Sequence, residues 1–375
     1  MRNRIHKTPQ REKKKFSLRA PHFLFIFTFF FTLVGLLFVF EASSIRAISE
    51  TGDSFHYLKL QMRWFGLGLL AMTFFSIYPY KKLYYLSIPL MGVVFLLLVA
   101  VLIPGIGHRV NGAQGWIDLG FFNLQPTEFA KFALIVYLAS WFSTKEKKQF
   151  LPFMVLIGGL MFLIMLQPDM GSATMIFGLA CLMFFLSGQQ LIQLAMFIGA
   201  AVLGFIGLLF AAPYRVRRLT AFLDPSQDPL GVGYHINQIM ISLSQGGLFG
   251  QGFGASRQKY LFLPEAHTDS IFAIMGEELG FIGAVVLIFC YVVLLYRLYV
   301  IYKDTSDTFG KLLVGGVFSF IGIQVMINLG GMVNIMPLTG VPLPFISYGG
   351  SHMLISFMLI GIAINVAKHA KAGGR

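Results

Sequence analysis

Residues 23–40 read FLFIFTFFFTLVGLLFVF and contain no charged side chain. A helix of about 20 apolar residues is long enough to cross the hydrocarbon core of a bilayer. The same composition continues along the chain, which is 56% hydrophobic and 12% charged over 375 residues. Soluble domains are about 25% charged. The sequence therefore predicts an all-α, polytopic integral membrane protein and excludes a soluble globular one.

Ten segments are predicted to span the membrane. They cover residues 23–40, 62–78, 83–103, 126–142, 152–166, 170–186, 191–211, 269–299, 312–333 and 345–366. Lys and Arg are enriched in cytoplasmic loops. If the N-terminus is cytoplasmic, 19 of the 29 Lys and Arg residues lie in cytoplasmic segments. We therefore expect a multi-pass protein with both termini in the cytoplasm.

The charge distribution divides the chain into a basic tail at residues 1–21, a ten-span domain at 22–368 and a short cytoplasmic tail at 369–375. Eight of the 29 Lys and Arg residues fall within the first nineteen positions. A juxtamembrane basic cluster is attracted to anionic lipids. The tail has a single aromatic residue, Phe16, so membrane lipids are the expected partner and nucleic acid is not.

Two regions interrupt the pattern of spans. Residues 213–268 form a predicted large extracytoplasmic loop, in which the apolar spacing from 236 to 243 predicts an amphipathic helix. A glycine cluster at 246–254 follows, with two interpretations left open: a flexible loop or a phosphate-binding loop. Residues 336–350 contain too many Pro and Gly residues for a continuous helix.

Ionisable residues are expensive inside a membrane and usually mark a cavity or a pair. Glu128 and Lys131 are three residues apart, so they share a helix face and can form an ion pair. Whether that pair is structural or functional stays open at this point. The predicted topology places Trp116 toward the outer leaflet together with a set of charged residues: Arg109, Glu128, Lys131, Asp169, Arg215, Arg218, Lys259 and Asp269. This asymmetry favours a site that faces outward.

Asp269 is the sharpest catalytic candidate, in the sequence PEAHTD at 264–269. A carboxylate at the water–lipid boundary can accept a proton from a hydroxyl group or bind a divalent cation. The alternative is that Asp269 caps the N-terminus of the following helix. The residues alone do not choose between these interpretations.

A set of motifs makes the chain similar to a known family. They are NGAQGWIDLG (111–120), QPTEFAK (125–131), QPDMG (167–171), YRVRRL (214–219), LPEAHTD (263–269) and PFISYGGS (344–351). In this order they resemble the SEDS family (shape, elongation, division and sporulation), the FtsW/RodA/SpoVE type of bacterial cell-wall polymerase. The division type, FtsW, is the most similar.

The resemblance implies a peptidoglycan glycosyltransferase that polymerises lipid II on the outer face of the bacterial cytoplasmic membrane, at the division septum. It implies Asp269 as the catalytic residue, and a class B penicillin-binding protein (a transpeptidase) and other divisome proteins as partners. The expected substrate-binding residues are Arg109, Trp116, Glu128, Lys131, Asp169, Arg215, Arg218, Lys259, His267, Glu278 and Ser347.

Two positions depart from the family pattern. Gly115 stands where the family usually has Arg, and Arg109 on the same loop is the proposed replacement. His352 stands where the family often has Ser.

The expected reaction is an inverting glycosyl transfer, in which Asp269 accepts the hydroxyl proton or binds Mg²⁺ or Mn²⁺ beside the diphosphate. Two rival functions remain open. One is a lipid II flippase, because broken helices and intramembrane charges are also typical of transporters. The other is a non-catalytic division scaffold that recruits the cross-linking enzyme.

Overall fold

The computed structural model describes residues 10–370, apart from 111–112, 119, 121–122, 145–149, 212–215, 217–219 and 229–230. The described part is predominantly helical, as predicted. Its helices are α1 (Gln10–Thr51), α2 (His56–Ile77), α3 (Lys82–Ala100), α4 (Pro126–Ser143), α5 (Phe150–Leu166), α6 (Met170–Leu186), α7 (Leu191–Ala211), α8 (Val232–Gly246), α9 (Ile271–Asp304), α10 (Thr308–Met332) and α11 (Gly350–His369).

Ten of these helices coincide with the ten predicted spans, and α8 is the predicted amphipathic helix. Within the described residues, six are long and apolar enough to cross a membrane: α1, α2, α3, α9, α10 and α11. Helices α5, α6 and α7 contain shorter apolar stretches. The protein is therefore a multi-pass membrane protein, and the count of ten spans stays a prediction.

Helix boundaries differ from the prediction at two functional places. Helix α1 continues about three turns past the predicted end at residue 40, and its outer turns carry Arg46, whose Nε donates to Glu50 Oε1 at 2.8 Å. Helix α11 begins at Gly350 and not at 345, because Pro342, Pro344 and the left-handed Phe345 (φ 67°) prevent an earlier start.

The connection between α3 and α4 contains a small sheet that the sequence did not predict. Strands β1 (Gly107–Val110), β2 (Ala113–Asp118) and β3 (Asn123–Leu124) form an antiparallel meander. The sheet lies next to the start of α11, because Ser351 Oγ donates to the Asn123 carbonyl at 3.4 Å. This contact brings the loop that follows α3 to the same end of the bundle as the break before α11.

Helix α9 is broken at Gly280, where φ is 69° and ψ −169°. The residues that follow α8 complete its missing hydrogen bonds: Gln251 N donates to the Glu277 carbonyl at 2.9 Å, and Phe281 N donates to the Gly247 carbonyl at 2.9 Å. Freed backbone groups at membrane depth require partners of this kind. The loop after α8 is thus joined to α9 at the level of its break.

The glycine cluster explains how the chain approaches so closely. A Cβ added to Gly246 would overlap the Gly276 carbonyl oxygen, and one added to Gly250 would overlap the Glu278 carbonyl oxygen. Gly250 also has a φ of 81°. At these two positions the glycines allow backbone packing against α9, and the two interpretations of the cluster, a flexible loop and a phosphate-binding loop, stay predictions.

Helix α8 buries Ile236 and Ile239, which are 3% and 1% exposed, and it packs against α9. Met240, expected on the same apolar face, is 46% exposed. The face that α8 turns to the protein is thus rotated from the predicted one, and it includes Ser242, whose Oγ donates to the Ala273 carbonyl at 2.9 Å.

Candidate functional site

Asp269 lies just before α9, at the end of the bundle that the predicted topology places outside. The N-cap residue of α9 is Ser270, so the interpretation of Asp269 as the helix cap is wrong. Asn328 on α10 donates from Nδ2 to the Asp269 carbonyl oxygen at 2.7 Å and to the Val341 carbonyl oxygen at 2.8 Å. This one amide ties together the Asp269 loop, α10 and the segment between α10 and α11.

The Asp269 side chain is 9% exposed and lines a pocket of about 10 Å³. The other lining residues come from α10 and the following segment: Ile327, Asn328, Gly331, Met332, Leu338, Thr339, Gly340 and Val341. A volume of ~10–15 Å³ holds about one water molecule. In this conformation the pocket therefore admits a hydroxyl group but not a sugar ring.

The loop before Asp269 is held in an unusual backbone conformation. Glu265 has a φ of 49°, which a residue with a side chain adopts only where its surroundings support it. The support comes from Ser270 N, which donates to the Glu265 carbonyl at 3.1 Å, and from Arg46 Nη1, which lies 3.6 Å from Glu265 Oε1. The C-terminal end of α1 therefore helps to fix this loop.

Thr268 connects two carboxylates. Its hydroxyl lies 2.9 Å from Glu265 Oε2 and 3.1 Å from Asp269 Oδ1. A hydroxyl group has a single proton to donate, so Thr268 can hydrogen-bond to either carboxylate but not to both at once. The Glu265 carbonyl oxygen, 3.1 Å from the same hydroxyl, is a third possible acceptor.

His267 is 3% exposed, and its ring packs against two tyrosines that also contact each other, with centroids 4.6 Å from Tyr57 and 5.3 Å from Tyr348. Burial lowers the pKa of His267 to about 4, since a charged imidazolium is disfavoured away from water. His267 is therefore neutral at pH 7. Its backbone carbonyl accepts a hydrogen bond from Tyr348 N at 2.9 Å, which joins the loop to the segment before α11.

A second cavity, of about 350 Å³, lies on the α1 side of the same loop. Its lining residues are Ala42, Arg46, Lys259, Leu261, Leu263, Pro264, Glu265, Ala266 and His267. The Asp269 loop thus has a one-water pocket toward α10 and a cavity of ligand size toward α1.

Lys259 is 6% exposed and already has charged partners. Its Nζ donates to Glu41 Oε1 and lies 3.5 Å from Glu278 Oε1. Neighbouring Glu277 accepts from Ser256 Oγ at 2.6 Å and from Arg257 N at 2.9 Å. Glu277 and Glu278, which the predicted topology places deep in the eighth span, therefore fix the loop after α8 to α9.

Glu128 and Lys131 form the predicted ion pair, with Lys131 Nζ donating to Glu128 Oε1 at 2.5 Å. The pair lies inside the bundle, with the two side chains 3% and 2% exposed. His352 of α11 brings Nδ1 to 3.6 Å from Glu128 Oε2 and to 3.2 Å from Gln324 Nε2 of α10. The buried polar cluster Glu128–Lys131–His352–Gln324 therefore connects α4, α10 and α11.

The model of the FtsW/RodA/SpoVE family, described as cell cycle protein, matches residues 21–372. The chain belongs to this family, the SEDS family. The resemblance read from the six motifs is thus confirmed over almost the whole chain.

Relatives of this family and solved structures match the chain over more than nine-tenths of its length. The chain is 41% identical over 355 residues to stage V sporulation protein E of Bacillus subtilis, covering 93% of this chain and 97% of that protein. It is 39% identical over 349 residues to the probable peptidoglycan glycosyltransferase FtsW of Trichlorobacter lovleyi, covering 91% of each.

Among solved structures, one described as structural coordination of polymerization and crosslinking by a peptidoglycan synthase complex superposes with a TM-score of 0.76 at 27% identity, covering 93% of this chain and 97% of that one. The crystal structure of the rod shape determining protein RodA of Thermus thermophilus gives 0.69 at 26% identity, covering 93% and 96%.

Several of the substrate-binding residues expected for this SEDS protein have local structural contacts. Asp169 caps α6 by accepting from Ser172 N at 2.9 Å. Ser347 Oγ accepts from Leu343 N at 2.9 Å. Arg109 is exposed on β1 and Trp116 is half-buried on β2. None of these contacts tests substrate binding, so the assignments stay predictions.

Arg215 and Arg218, the expected diphosphate ligands, lie outside the described residues. The expected divalent cation has no preformed site in the part of the chain that the structure describes, since no group of three or more His, Cys, Asp or Glu side chains there could hold a metal ion. Mg²⁺ is commonly bound by one or two carboxylates together with substrate phosphates. Asp269 with a diphosphate substrate fits that pattern.

The sequence did not identify Arg46, Glu265 or Asn328 as parts of this SEDS site. It also did not predict the contacts of His352 with Glu128 and Gln324. Asn328 carried a usable signal, because a polar residue within an apolar span usually has a functional or structural partner. Arg46 and Glu50 were spaced for an i,i+4 pair. The contact of Arg46 with Glu265 joins distant parts of the chain, so no local sequence pattern predicts it.

Proposed function

We propose that this SEDS protein is a peptidoglycan glycosyltransferase that polymerises lipid II into glycan strands on the outer face of the cytoplasmic membrane. The observation that carries the proposal is the position of Asp269, a carboxylate in a pocket of hydroxyl size at one end of a membrane bundle, the end that the predicted topology places outside. Relatives named probable peptidoglycan glycosyltransferase FtsW support the same activity.

The reaction joins two lipid-linked sugars. The 4-hydroxyl of one lipid II attacks the anomeric carbon of the other chain, a new C–O bond forms with inversion, and the bond to the diphosphate breaks. Asp269 accepts the proton of the attacking hydroxyl, which is general base catalysis worth about 10²–10⁴-fold. Thr268 orients Oδ1 from 3.1 Å, and Asn328 fixes the backbone at Asp269.

The leaving diphosphate carries the developing charge. Arg215 and Arg218 are the proposed ligands for it, because Arg binds phosphate by charge-assisted, often bidentate hydrogen bonds. Mg²⁺ or Mn²⁺ bound by Asp269 and the diphosphate would neutralise part of that charge. Glu128, Lys131 and Glu278 supply polar walls deeper in the bundle.

The rival function is a lipid II flippase, which moves the lipid without chemistry. The outward position of Asp269 favours the enzyme, since alternating-access transporters place their sites near the midplane. The deciding experiment supplies purified protein with fluorescent lipid II in detergent, where no second compartment exists. Glycan product from wild type, and a loss of about 10²–10⁴-fold with Asp269→Asn, are expected.

The Asp269→Asn protein must keep the wild-type unfolding midpoint for this comparison to count. No product from wild type in the presence of a class B penicillin-binding protein would favour the flippase or the scaffold. Product formed at the wild-type rate by Asp269→Asn would refute the catalytic assignment.

We also propose that this SEDS protein works with a class B penicillin-binding protein and other divisome proteins at the septum, with both termini in the cytoplasm. The structural similarity to a peptidoglycan synthase complex of polymerization and crosslinking supports the partner. Affinity purification of the tagged protein from dividing and from sporulating cells would show which transpeptidase accompanies it.

A further inference from the structure

We propose that the α1-side cavity, lined by Ala42, Arg46, Leu263, Glu265 and His267 among others, binds one N-acetylated amino-sugar ring. The inference rests on the proposed function, because it assigns a glycan subsite to that reaction. The sugar held there is the neighbour of the ring that reacts at Asp269.

Size is the first argument. The cavity has a volume of about 350 Å³, and small-molecule sites in proteins begin at ~300 Å³. The pocket at Asp269, at about 10 Å³, admits only a hydroxyl group. Of the two spaces beside the loop, only the α1-side cavity has room for a ring.

The lining suits a sugar better than a diphosphate. The two cations in the wall, Arg46 and Lys259, contact four carboxylates: Glu265 and Glu50 for Arg46, and Glu41 and Glu278 for Lys259. A dianion would be repelled by this surplus of negative charge. A neutral ligand with both donor and acceptor groups is not repelled.

The individual groups match the two surfaces of an amino sugar. Arg46 and Glu265 offer donors and acceptors for hydroxyl and amide groups, and both side chains are about one-third exposed. Leu263, Pro264 and Ala266 offer an apolar wall for the C–H face and the acetyl methyl group. His267 is neutral at pH 7 because burial lowers its pKa to about 4, so it adds no charge.

The cavity is also close to the reacting group. His267 lines it, and Asp269 follows two residues later, so their Cα atoms are at most about 7 Å apart. Glu265 in the cavity wall shares the Thr268 hydroxyl with Asp269. A sugar that hydrogen-bonds to Glu265 therefore lies within one hydrogen-bonded residue, Thr268, of the Asp269 carboxylate.

The test fills the cavity. Ala42→Leu adds a side chain on α1 that projects into it, and Ser44→Leu adds a comparable side chain on the same helix at a position that does not line it. With lipid II as substrate, we expect Ala42→Leu to raise KM at least tenfold while kcat changes less than threefold. Ser44→Leu should leave both unchanged. If Ala42→Leu does not fold, Leu261→Trp at the cavity mouth replaces it, with Phe262→Trp as its control.

Binding is measured without turnover, by saturation-transfer NMR with the lipid-free disaccharide of N-acetylglucosamine and N-acetylmuramic acid. Wild type and Ser44→Leu should bind it, and Ala42→Leu should lose the signal. Inorganic pyrophosphate is the competing probe, and its binding should not change. A wild-type KM in a folded Ala42→Leu protein, or loss of pyrophosphate binding instead of disaccharide binding, would overturn the subsite.

Ala42→Leu should slow the first coupling of two lipid II molecules whichever substrate supplies the ring, because the neighbour of each reacting ring is the other sugar of the same disaccharide. A first coupling at the wild-type rate would contradict the subsite. Failure of wild type to polymerise lipid II would refute the proposed function, and the disaccharide binding measurement would still decide the cavity.

Discussion

Two ion pairs of similar length lie in opposite surroundings. Lys131 Nζ is 2.5 Å from Glu128 Oε1 with side chains 2% and 3% exposed, whereas Lys59 Nζ is 2.7 Å from Asp53 Oδ2 with side chains 61% and 40% exposed. Removing charges from water costs several kcal/mol per ion, and exposed pairs contribute little. The contribution of these pairs to stability therefore depends on their access to water and not on the N–O distance alone.

The largest effect is expected from breaking the buried pair. Lys131→Met leaves the Glu128 charge inside the bundle, where His352 Nδ1 is the next nearest basic atom at 3.6 Å. Loss of one partner of a buried pair typically destabilises by about 3–5 kcal/mol. The thermal unfolding midpoint of the purified protein in detergent should fall accordingly.

The double variant Glu128→Gln/Lys131→Met is the matched control, because it removes both charges and keeps the volumes. Its unfolding midpoint should recover most of the loss. If the stable double variant makes no glycan, the pair has a role in the reaction. If it is fully active, the pair is structural, which decides the alternative that the sequence left open.

The loop at Asp269 contains a buried titratable group, the His267 imidazole, whose access to water can be compared with that of the two ion pairs. The pKa of His267 is about 4 in the folded protein and ~6.5 when unfolded. Between these values the unfolded chain binds more protons, so stability falls as the pH drops from 6.5 to 4 and does not fall further below 4 on this account. A shift of this size corresponds to about 3 kcal/mol.

His267→Phe keeps a ring against Tyr57 and Tyr348 and removes the titration. The unfolding midpoint of this variant should depend less on pH between 6.5 and 4 than that of wild type. Burial also lowers the pKa of His235 to about 4, so this residue adds to the pH dependence of the unfolding midpoint. Adding His235→Gln to the His267→Phe variant should reduce that dependence further. An unchanged slope in His267→Phe would contradict the buried neutral imidazole.

The glycine cluster gives a smaller effect. Gly250 and Gly252 both have positive φ, at 81° and 102°. An added Cβ at Gly250 would meet the Glu278 carbonyl oxygen, whereas at Gly252 it would meet nothing within 4 Å. Left-handed backbone costs a residue with Cβ about 1–2 kcal/mol, so Gly252→Ala should lose about that much and Gly250→Ala more, by thermal unfolding. Equal losses would show that the packing of the loop after α8 against α9 does not depend on the close approach of the two backbones at Gly250.

The features that could be predicted from the sequence are those that depend on residues close together along the chain. The span positions followed from hydropathy, and the Glu128–Lys131 pair followed from i,i+3 spacing. The start of α11 was placed too early because the apolar residues around Phe345 satisfied the hydropathy criterion while Pro342 and Pro344 blocked the helix.

What the sequence could not predict depends on contacts between distant segments. His352 contacts Glu128, Arg46 contacts Glu265, and Asn328 binds the Asp269 carbonyl, and each contact links segments that are distant in sequence. Local spacing carries no information about such contacts. The two spaces beside the Asp269 loop are likewise a product of tertiary packing, so the catalytic candidate could be named from sequence and its surroundings could not.

The smallest effect is expected at the exposed pair. Lys59→Met removes an ion pair whose charges are already solvated, so water replaces each partner and the ordering of two long side chains is relieved. The unfolding midpoint should therefore match that of wild type within the error of the measurement, at both low and high salt. Lys131→Met, measured in the same detergent, is the matched comparison, since the same substitution removes the same kind of charge at a similar distance. If Lys59→Met lowered the midpoint as much as Lys131→Met, distance and not access to water would set the strength of these pairs.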